Sequence, residues 1–250
     1  MTICIIPARS GSKRIRNKNI KLFHGKPIIS YAIQLAKSCG LFKRIVVSTD
    51  SYNISKIAKK YGAEVPFLRS KKLANDFTPT SDVLIDCINK ISSQNTKYHF
   101  CIYPCTTLIY KKDLINSFKK MKKNDFDQLT AVSDYNFSPY RAYKFVGKNR
   151  IEWNFKKFAH MRTQNVPKLC HDTGSFYIFK TKSLLRYNRY MPKKTTYYFI
   201  DQSRAIDVNT ESDFKFSEFI FKFKKQKKVI KLWAEILLRK IFQKLYLYSF

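Results

Sequence analysis

Small and basic residues are concentrated near the start of the chain, from Ile3 to Asn19, in the stretch ICIIPARSGSKRIRNKN. An apolar run leads to Pro7 and then to the small residues Ser10 to Ser12. Small residues let backbone N–H groups approach an anion closely, and neighbouring cations neutralise its charge. The cations here are Arg9, Lys13, Arg14, Arg16 and Lys18. The stretch predicts a phosphate-binding loop of unidentified ligand, because it matches neither GxxxxGK[ST] nor GxGxxG; a polar turn is the alternative interpretation.

Polar residues that could complete such a site follow later apolar runs. Asp50 comes directly after the β-branched run RIVVST, and the loop at residues 73–82 reads LANDFTPTSD. Near the end, Asp207 and Asn209 lie two residues apart. Because the carboxyl ends of parallel strands line the ligand crevices of open α/β sheets, Asp50 is a candidate site residue. A structural turn aspartate is the alternative for Asp50.

The scaffold that would position these residues alternates between strands and helices. The predicted strands are residues 3–6, 44–49, 65–68, 98–103 and 128–133. Four helices are predicted in this part of the chain. The first begins at Pro27 and ends at Gly40, and the second spans residues 52–61. The third runs from a cap at Thr80 or Ser81 to residue 91, and the fourth spans residues 112–123. This alternation predicts an α/β fold with an open, mostly parallel sheet.

The alternation of strands and helices ends after residue 135. Segments 143–146 and 151–155 flank Gly147-Lys148-Asn149, which predicts a β-hairpin inside an inserted lobe at about 136–170. Residues 175–179, Ile200 and residues 206–208 are predicted to return to the sheet, and 211–225 to form a closing helix. The main domain therefore spans 1–225.

The segment 226–250 is predicted to form a basic amphipathic helix. Its apolar face consists of Ile230, Trp233, Leu237, Ile241 and Leu245. Such a helix can pack on its own domain, contact a second subunit, or lie on an anionic membrane surface.

The composition of the chain limits the classes of protein to consider. The 250 residues carry a formal charge of +32, which would attract nucleic acid, anionic lipid or small anions. A nucleic-acid-binding protein is the rival class, but no RRM, KH, zinc or helix-turn-helix pattern is present. The six cysteines form no CxxC pair, which favours buried thiols in a reducing cytoplasm. We expect a cytoplasmic protein, since no signal peptide or membrane span is evident.

Four ordered segments carry a family resemblance: PARSGSKRIRNKNI, GKPIISYAI, RIVVSTD and YGAEVPFLR. From Ile3 to Phe214 the chain resembles the acylneuraminate cytidylyltransferases, and most closely their pseudaminic acid branch because of NDFTPT, RTQ and HDTGSFY. The resemblance implies a three-layer Rossmann-like nucleotidyltransferase of the nucleotide-diphospho-sugar transferase type. It implies a reaction of CTP with a nonulosonic acid, giving pyrophosphate and a CMP-sugar for surface glycan or flagellin glycosylation. Sialic and legionaminic acids are the alternative substrates. It also implies a homodimer in which the inserted lobe pairs two subunits and completes each sugar pocket.

The resemblance also implies roles for individual residues. Phosphate and nucleotide binding falls to Arg9, Ser12, Lys13, Lys18 and Asn19, and the cytidine or ribose side to Asp76, Thr78 and Thr80. Sugar binding falls to Tyr103, Arg162, Gln164, Asp172 and Gly174. Arg162 suits the sugar carboxylate because a guanidinium pairs with it bidentately. Arg9, Lys13 and Asp207 are the implied catalytic residues.

The implied cofactor is Mg²⁺, and here the chain departs from the family. Where relatives have Asp-Ile-Asp-Thr, this chain has Asp207-Val208-Asn209-Thr210. Asp207 and Asn209 are the candidate ligands, but an amide oxygen carries no charge, so weaker metal binding is expected. Two interpretations stay open: an enzyme with one Mg²⁺ held by Asp207 and the triphosphate, or a metal-impaired, non-catalytic relative. The general base is not identified; Asp207 and metal-bound water are candidates.

Overall fold

The protein was analysed as a computed structural model that describes residues 2–187 and 192–226. The described strands are β1 Thr2–Pro7, β2 Leu22–Phe23, β3 Lys26–Pro27, β4 Arg44–Ser48, β5 Tyr98–Ile102, β6 Gln128–Asp134, β7 Tyr143–Val146, β8 Arg150–Trp153, β9 Cys170–Lys180 and β10 Thr195–Phe199. The described α-helices are α1 Ile29–Ser38, α2 Tyr52–Lys60, α3 Thr80–Lys90, α4 Lys111–Lys123, α5 Thr181–Tyr187 and α6 at 211–226.

Six strands form the central sheet in the order β10-β6-β9-β5-β1-β4. Strand β1 pairs in parallel with β4 and with β5, and β10 pairs in parallel with β6. Strand β9 runs antiparallel between β5 and β6. The prediction of a mostly parallel sheet is confirmed, and the carboxyl ends of β1, β4 and β5 meet at one edge, where loops can form a site.

Helices cover both faces of this sheet because alternate strand residues point to opposite sides. Cys4 and Ile6 of β1 belong to a core cluster shared with α1, α2 and α4. Ile3 and Ile5 belong to a second cluster, with Leu84 of α3 and residues of α5. Burial on both faces explains why β1 is continuously apolar. The three-layer arrangement is confirmed.

Three local predictions were wrong. Pro27 lies in β3 rather than at the start of α1. Residues 65–68 form no strand: this segment meets β4 and the residue after it only through isolated bridges at Glu64 and Leu68, since Pro66 has no N–H to donate to a ladder. Residues 206–208 form no strand; Ile206 and Val208 are apolar because they pack against Phe23 and its neighbours.

The segment between β6 and β9 contains the predicted hairpin. Strands β7 and β8 pair antiparallel, with Tyr143 opposite Trp153, around a turn where Gly147 has φ +64°. This segment exposes large apolar side chains, including Phe137 and Phe145. The predicted tail helix, apart from residue 226, lies outside the described residues. In the part of the chain that is described, no helix combines the length and apolarity that a bilayer crossing requires.

Candidate functional site

The loop after β1 is held at both ends by side chains. The backbone N–H and hydroxyl of Ser10 donate to the two Asp50 carboxylate oxygens, at 2.8 and 2.6 Å. Farther along, the Asn19 amide donates to the Arg9 carbonyl at 2.8 Å. Asp50 does not line the cleft described next, so its role is to fix the loop, as the turn-aspartate interpretation held.

A cleft of about 270 Å³ opens beside this loop, where the carboxyl ends of the strands meet. Its lining includes eleven of the predicted residues: Arg9, Ser12, Lys18, Asn19, Asp76, Thr78, Thr80, Tyr103, Gly174, Asp207 and Asn209. The structure therefore gathers the basic loop, the second polar loop and the late Asp207 segment around one cavity. Lys13 lies outside the lining but bonds to one of its residues.

Asp76 joins the two loops at the cleft. Its carboxylate accepts from Arg9 at 2.6 Å and from Lys13 at 2.7 Å. The hydrogen bonds from Lys13 and Arg9 hold the pKa of Asp76 below its usual value. Nearby, the Asn75 side chain accepts from the Thr78 backbone N–H at 2.8 Å, which shapes the second loop. Asp76 therefore partly neutralises two cations of the basic loop.

Thr80 does not cap α3. The N-cap position is Pro79, without a side-chain cap, and Thr80 is the first helical residue. The Thr80 hydroxyl instead lies 2.7 Å from the Tyr103 hydroxyl. The capping interpretation was wrong, because the Thr80 side chain turns toward the carboxyl end of β5.

Gly174 brings the backbone of β9 against Asp207. It has φ +59°, and a Cβ there would lie 3.4 Å from the Asp207 carboxylate carbon. Asp172 holds this conformation, since one of its oxygens accepts from the Gly174 N–H at 2.9 Å and the other from the Tyr177 hydroxyl at 2.5 Å. Burial and Asp172 raise the pKa of Tyr177. Asp172 does not line the cleft; it orders Gly174, which does.

Asp207 and Asn209 face each other although no strand aligns them. The Asn209 amide donates to Asp207 at 2.6 Å, and the Asn209 oxygen accepts from Arg14 at 2.7 Å. The Asn209 backbone N–H donates to Asp213 at 3.0 Å, and Lys18 donates to the Val208 carbonyl at 2.8 Å. This segment is fixed between the basic loop and the start of α6.

Arg162 and Gln164 are not brought to the cleft of the chain that contains them. Both are exposed in the segment between β6 and β9, where Gln164 lies in the short turn Thr163–Asn165 and Arg162 directly precedes it. Their predicted contact with the sugar therefore receives no support from the described residues of a single chain.

Arg69 lines the cleft, although no motif of the sequence marked it as a site residue. Its side chain is buried, and in the described part of the chain its Nε and one terminal nitrogen have no hydrogen-bond partner. Burial lowers the pKa of this guanidinium. Buried donors without partners are costly, so their position on the cleft indicates a ligand with acceptor atoms. The only signal was its place as the last residue of YGAEVPFLR.

Arg204 and Arg14 also line the cleft and were not predicted. Arg204 pairs with the buried Asp113 at 2.6 Å and lies 4.6 Å from the centre of the Tyr110 ring. These contacts fix the Arg204 guanidinium at the wall of the cleft. The sequence placed Arg14 in the basic loop, but it did not show that Arg14 lines the cleft and Arg16 does not.

Asp207 is the carboxylate of the cleft best suited to a divalent cation. Carboxylate oxygens are hard ligands, which Mg²⁺ prefers, and Mg²⁺ usually completes its shell with water and substrate phosphates. Among residues 2–187 and 192–226, no group of three His, Cys, Asp or Glu side chains could hold a metal alone. Asp207 thus fits a cation that is shared with a bound ligand.

Comparison with known proteins agrees with this architecture. A family profile described as cytidylyltransferase matches residues 3–233. The chain is 33% identical over 222 residues to pseudaminic acid cytidylyltransferase of Campylobacter jejuni subsp. jejuni serotype O:2, covering 88% of this chain and 96% of the relative. It is 35% identical over 236 residues to CMP-N,N'-diacetyllegionaminic acid synthase of the same organism, covering 89% and 95%.

The fold is also similar to that of a solved structure. CMP-2-keto-3-deoxy-manno-octonic acid synthetase, solved in complex with CTP, superimposes with a TM-score of 0.68 at 14% identity, covering 89% of this chain and 99% of that one. At this identity the likeness concerns the fold alone. With a profile match over nearly its whole length and relatives of similar length, the chain belongs to the cytidylyltransferase family.

Proposed function

We propose that this protein transfers CMP from CTP to a nonulosonic acid, pseudaminic acid, and releases pyrophosphate. The observation that carries this proposal is the convergence of the basic loop, the loop of Asp76 and Thr78, and Asp207 on one cleft. Family membership and the 33% identical pseudaminic acid relative support the reaction.

The basic loop supplies the charge that a triphosphate requires. Arg9, Lys13 and Lys18 neutralise phosphate oxygens, and the amides around Ser12 act as fixed dipoles. Phosphoryl transfer needs little covalent work from the protein, so orientation and charge neutralisation account for most of the acceleration. Asn19 contributes by fixing the Arg9 carbonyl and hence the loop.

The base and ribose side of the cleft is formed by Asp76, Thr78, Thr80 and Tyr103. Arg69 complements them, because two of its side-chain nitrogens, which have no partner among the described residues, suit an acceptor edge such as O2 and N3 of cytosine, or a phosphate oxygen. Binding CTP would then satisfy a group that is costly to bury in the free protein.

Asp207 would hold Mg²⁺ together with phosphate oxygens of the substrate. Bound there, the ion would neutralise phosphate charge and stabilise the departing pyrophosphate. Gly174 keeps one face of the Asp207 carboxylate free of a side chain. We expect the metal site to form fully only when the nucleotide is present.

A second copy of the chain would complete the sugar pocket. Arg162 and Gln164 lie on the segment between β6 and β9, away from their own cleft. The same segment leaves Phe137 86% exposed and Phe145 89% exposed, as an interface would require before pairing. We propose a homodimer in which this lobe brings Arg162 to the partner's sugar carboxylate. Light scattering tests the dimer, and a monomer that turns over normally would refute it.

The reaction is tested by turnover with CTP and a panel of pseudaminic, legionaminic and N-acetylneuraminic acids. Pyrophosphate release and CMP-sugar formation are measured, with the highest kcat/KM expected for pseudaminic acid. Legionaminic acid is the second candidate, because identity to the legionaminic acid relative is 35%. Absence of turnover with all three acids at saturating Mg²⁺ would refute the proposal and favour the non-catalytic interpretation.

Two further assignments stay predictions. The cytoplasm is the proposed compartment, in keeping with six free cysteines. Contact of the 226–250 segment with an anionic membrane surface is proposed from its sequence alone, and vesicle sedimentation of the full chain tests it. Equal recovery with neutral and anionic vesicles would contradict it.

A further inference from the structure

The side chain of Asn209 is already engaged at both ends. Its oxygen accepts from the Arg14 guanidinium at 2.7 Å, and its amide nitrogen donates to Asp207 at 2.6 Å. A metal ion could use only the oxygen, because the amide nitrogen has no lone pair to offer. The side-chain oxygen of Asn209 therefore already faces a guanidinium, and the positive charge of Arg14 opposes the approach of a metal cation to that oxygen.

The orientation of this amide is fixed by its two neighbours. Rotating the amide by 180° would place its NH₂ against the Arg14 donors and its oxygen against the Asp207 carboxylate. Both contacts would become repulsive at once. The backbone N–H of Asn209 is also held by Asp213 at 3.0 Å, so the residue cannot readily swing away.

Arg14 contacts a different kind of partner from the other cations of the basic loop. Arg9 and Lys13 are both ion-paired with Asp76. Arg14 instead donates to the neutral side-chain amide of Asn209 at 2.7 Å. An aspartate at position 209 would instead pair with Arg14 and cancel its charge. Asparagine therefore positions a cation at the cleft and leaves its charge available.

We propose that Asn209 is not a metal ligand but a positioning residue that holds Arg14 against the phosphates of CTP. Arg14 is then a phosphate-binding residue, and the cleft uses a fixed guanidinium beside a single metal-binding carboxylate, Asp207. This inference rests on the proposed function, since it requires that a nucleoside triphosphate bind in the cleft.

The test measures the affinity of the full chain for CTP by calorimetry, without the sugar acid, in EDTA and in Mg²⁺. The variants are Asn209→Ala, Arg14→Gln, their double variant, and Asn209→Asp as the isosteric change. Arg186→Gln is the matched control, because Arg186 is an exposed arginine of α5 that does not line the cleft. Thermal unfolding checks that each variant is folded.

In EDTA, Arg14→Gln and Asn209→Ala are each expected to weaken CTP binding about tenfold, the loss typical of a charge-assisted hydrogen bond. The double variant should lose little more than Arg14→Gln alone, because both changes remove the same contact. Asn209→Asp should also weaken CTP binding in EDTA, since it cancels the charge of Arg14. CMP binding should change much less, and Arg186→Gln should leave CTP affinity within about twofold.

If Asn209 binds the metal instead, Asn209→Ala will match the wild type in EDTA and lose affinity only in Mg²⁺, which overturns the inference. Full additivity of the two single changes also overturns it. Failure of the wild type to bind CTP in either buffer refutes the proposed function and the inference together. Normal wild-type binding with unaltered Asn209→Ala refutes the inference alone.

Discussion

Replacing Gly174 with alanine would place a methyl group on the face of the Asp207 carboxylate. The new Cβ would lie 3.4 Å from the carboxylate carbon and 3.5 and 3.6 Å from its two oxygens. At these distances the methyl group fits but excludes water and cations from that face. The backbone, at φ +59°, would also hold a non-glycine residue in the left-handed region.

The two effects have separable magnitudes. The left-handed conformation is expected to cost about 1 kcal/mol of folding stability. Obstruction of Asp207 is expected to lower kcat/KM about tenfold, equivalent to about 1.4 kcal/mol, and to raise the Mg²⁺ concentration needed for half-maximal rate. Pyrophosphate release measured against Mg²⁺ concentration gives both values.

Gly147→Ala is the matched control for this change. Gly147 has φ +64°, with no atom within 4 Å of the Cβ position, and lies in the turn between β7 and β8. It should lose a similar amount of stability by thermal unfolding while retaining its Mg²⁺ dependence. Equal Mg²⁺ curves for Gly174→Ala and Gly147→Ala would refute the assignment of Asp207 as the metal-binding carboxylate.

Three other residues yield separate predictions. His99 is buried between Ser93 and Thr181, and burial lowers its pKa from 6.5 to about 4. Between pH 6.5 and 4, His99 therefore binds a proton in the unfolded chain but not in the folded chain. About 3 kcal/mol of the free energy of unfolding should be lost as pH falls through this range. Denaturant unfolding of His99→Gln should show a shallower pH slope, and an unchanged slope contradicts this. Arg69→Met should raise the thermal stability of the free protein but weaken CTP binding about tenfold, since buried unpaired donors are removed; a parallel fall in both would indicate a structural role. Asp113→Asn should cost about 3 kcal/mol because it leaves the Arg204 charge buried without its partner, and wild-type stability in urea would refute this.

Much of the fold could be predicted because local patterns agree with the tertiary environment. The β-branched run of β4 is continuously apolar since both faces of that strand are covered. Gly147 marked the hairpin because its turn requires a positive φ. Residues 206–208 were wrongly predicted to form a strand, because packing on Phe23 requires apolar side chains just as a sheet does. Apolar spacing over three residues does not distinguish these two environments.

The composition of the basic loop predicted a phosphate-binding loop, whereas the Asp76 loop was assigned to the same site by the family resemblance. The structure brings both loops to one cleft. Arg69 was missed because an arginine after a strand-like run is usually exposed, and only the tertiary fold buries it. The contact between Asn209 and Arg14 could not be predicted, because the two residues are 195 positions apart in the chain.

The ion pairs of Asp76 with Arg9 and Lys13 have a consequence for selectivity. Any anion that binds the basic loop must compete with a carboxylate that is already in contact with both cations. A monoanion gains little from that exchange, whereas a triphosphate can displace Asp76 and still engage the remaining cations. A protein of charge +32 attracts weak anions, and the Asp76 carboxylate competes with them for Arg9 and Lys13, which keeps them from filling the cleft.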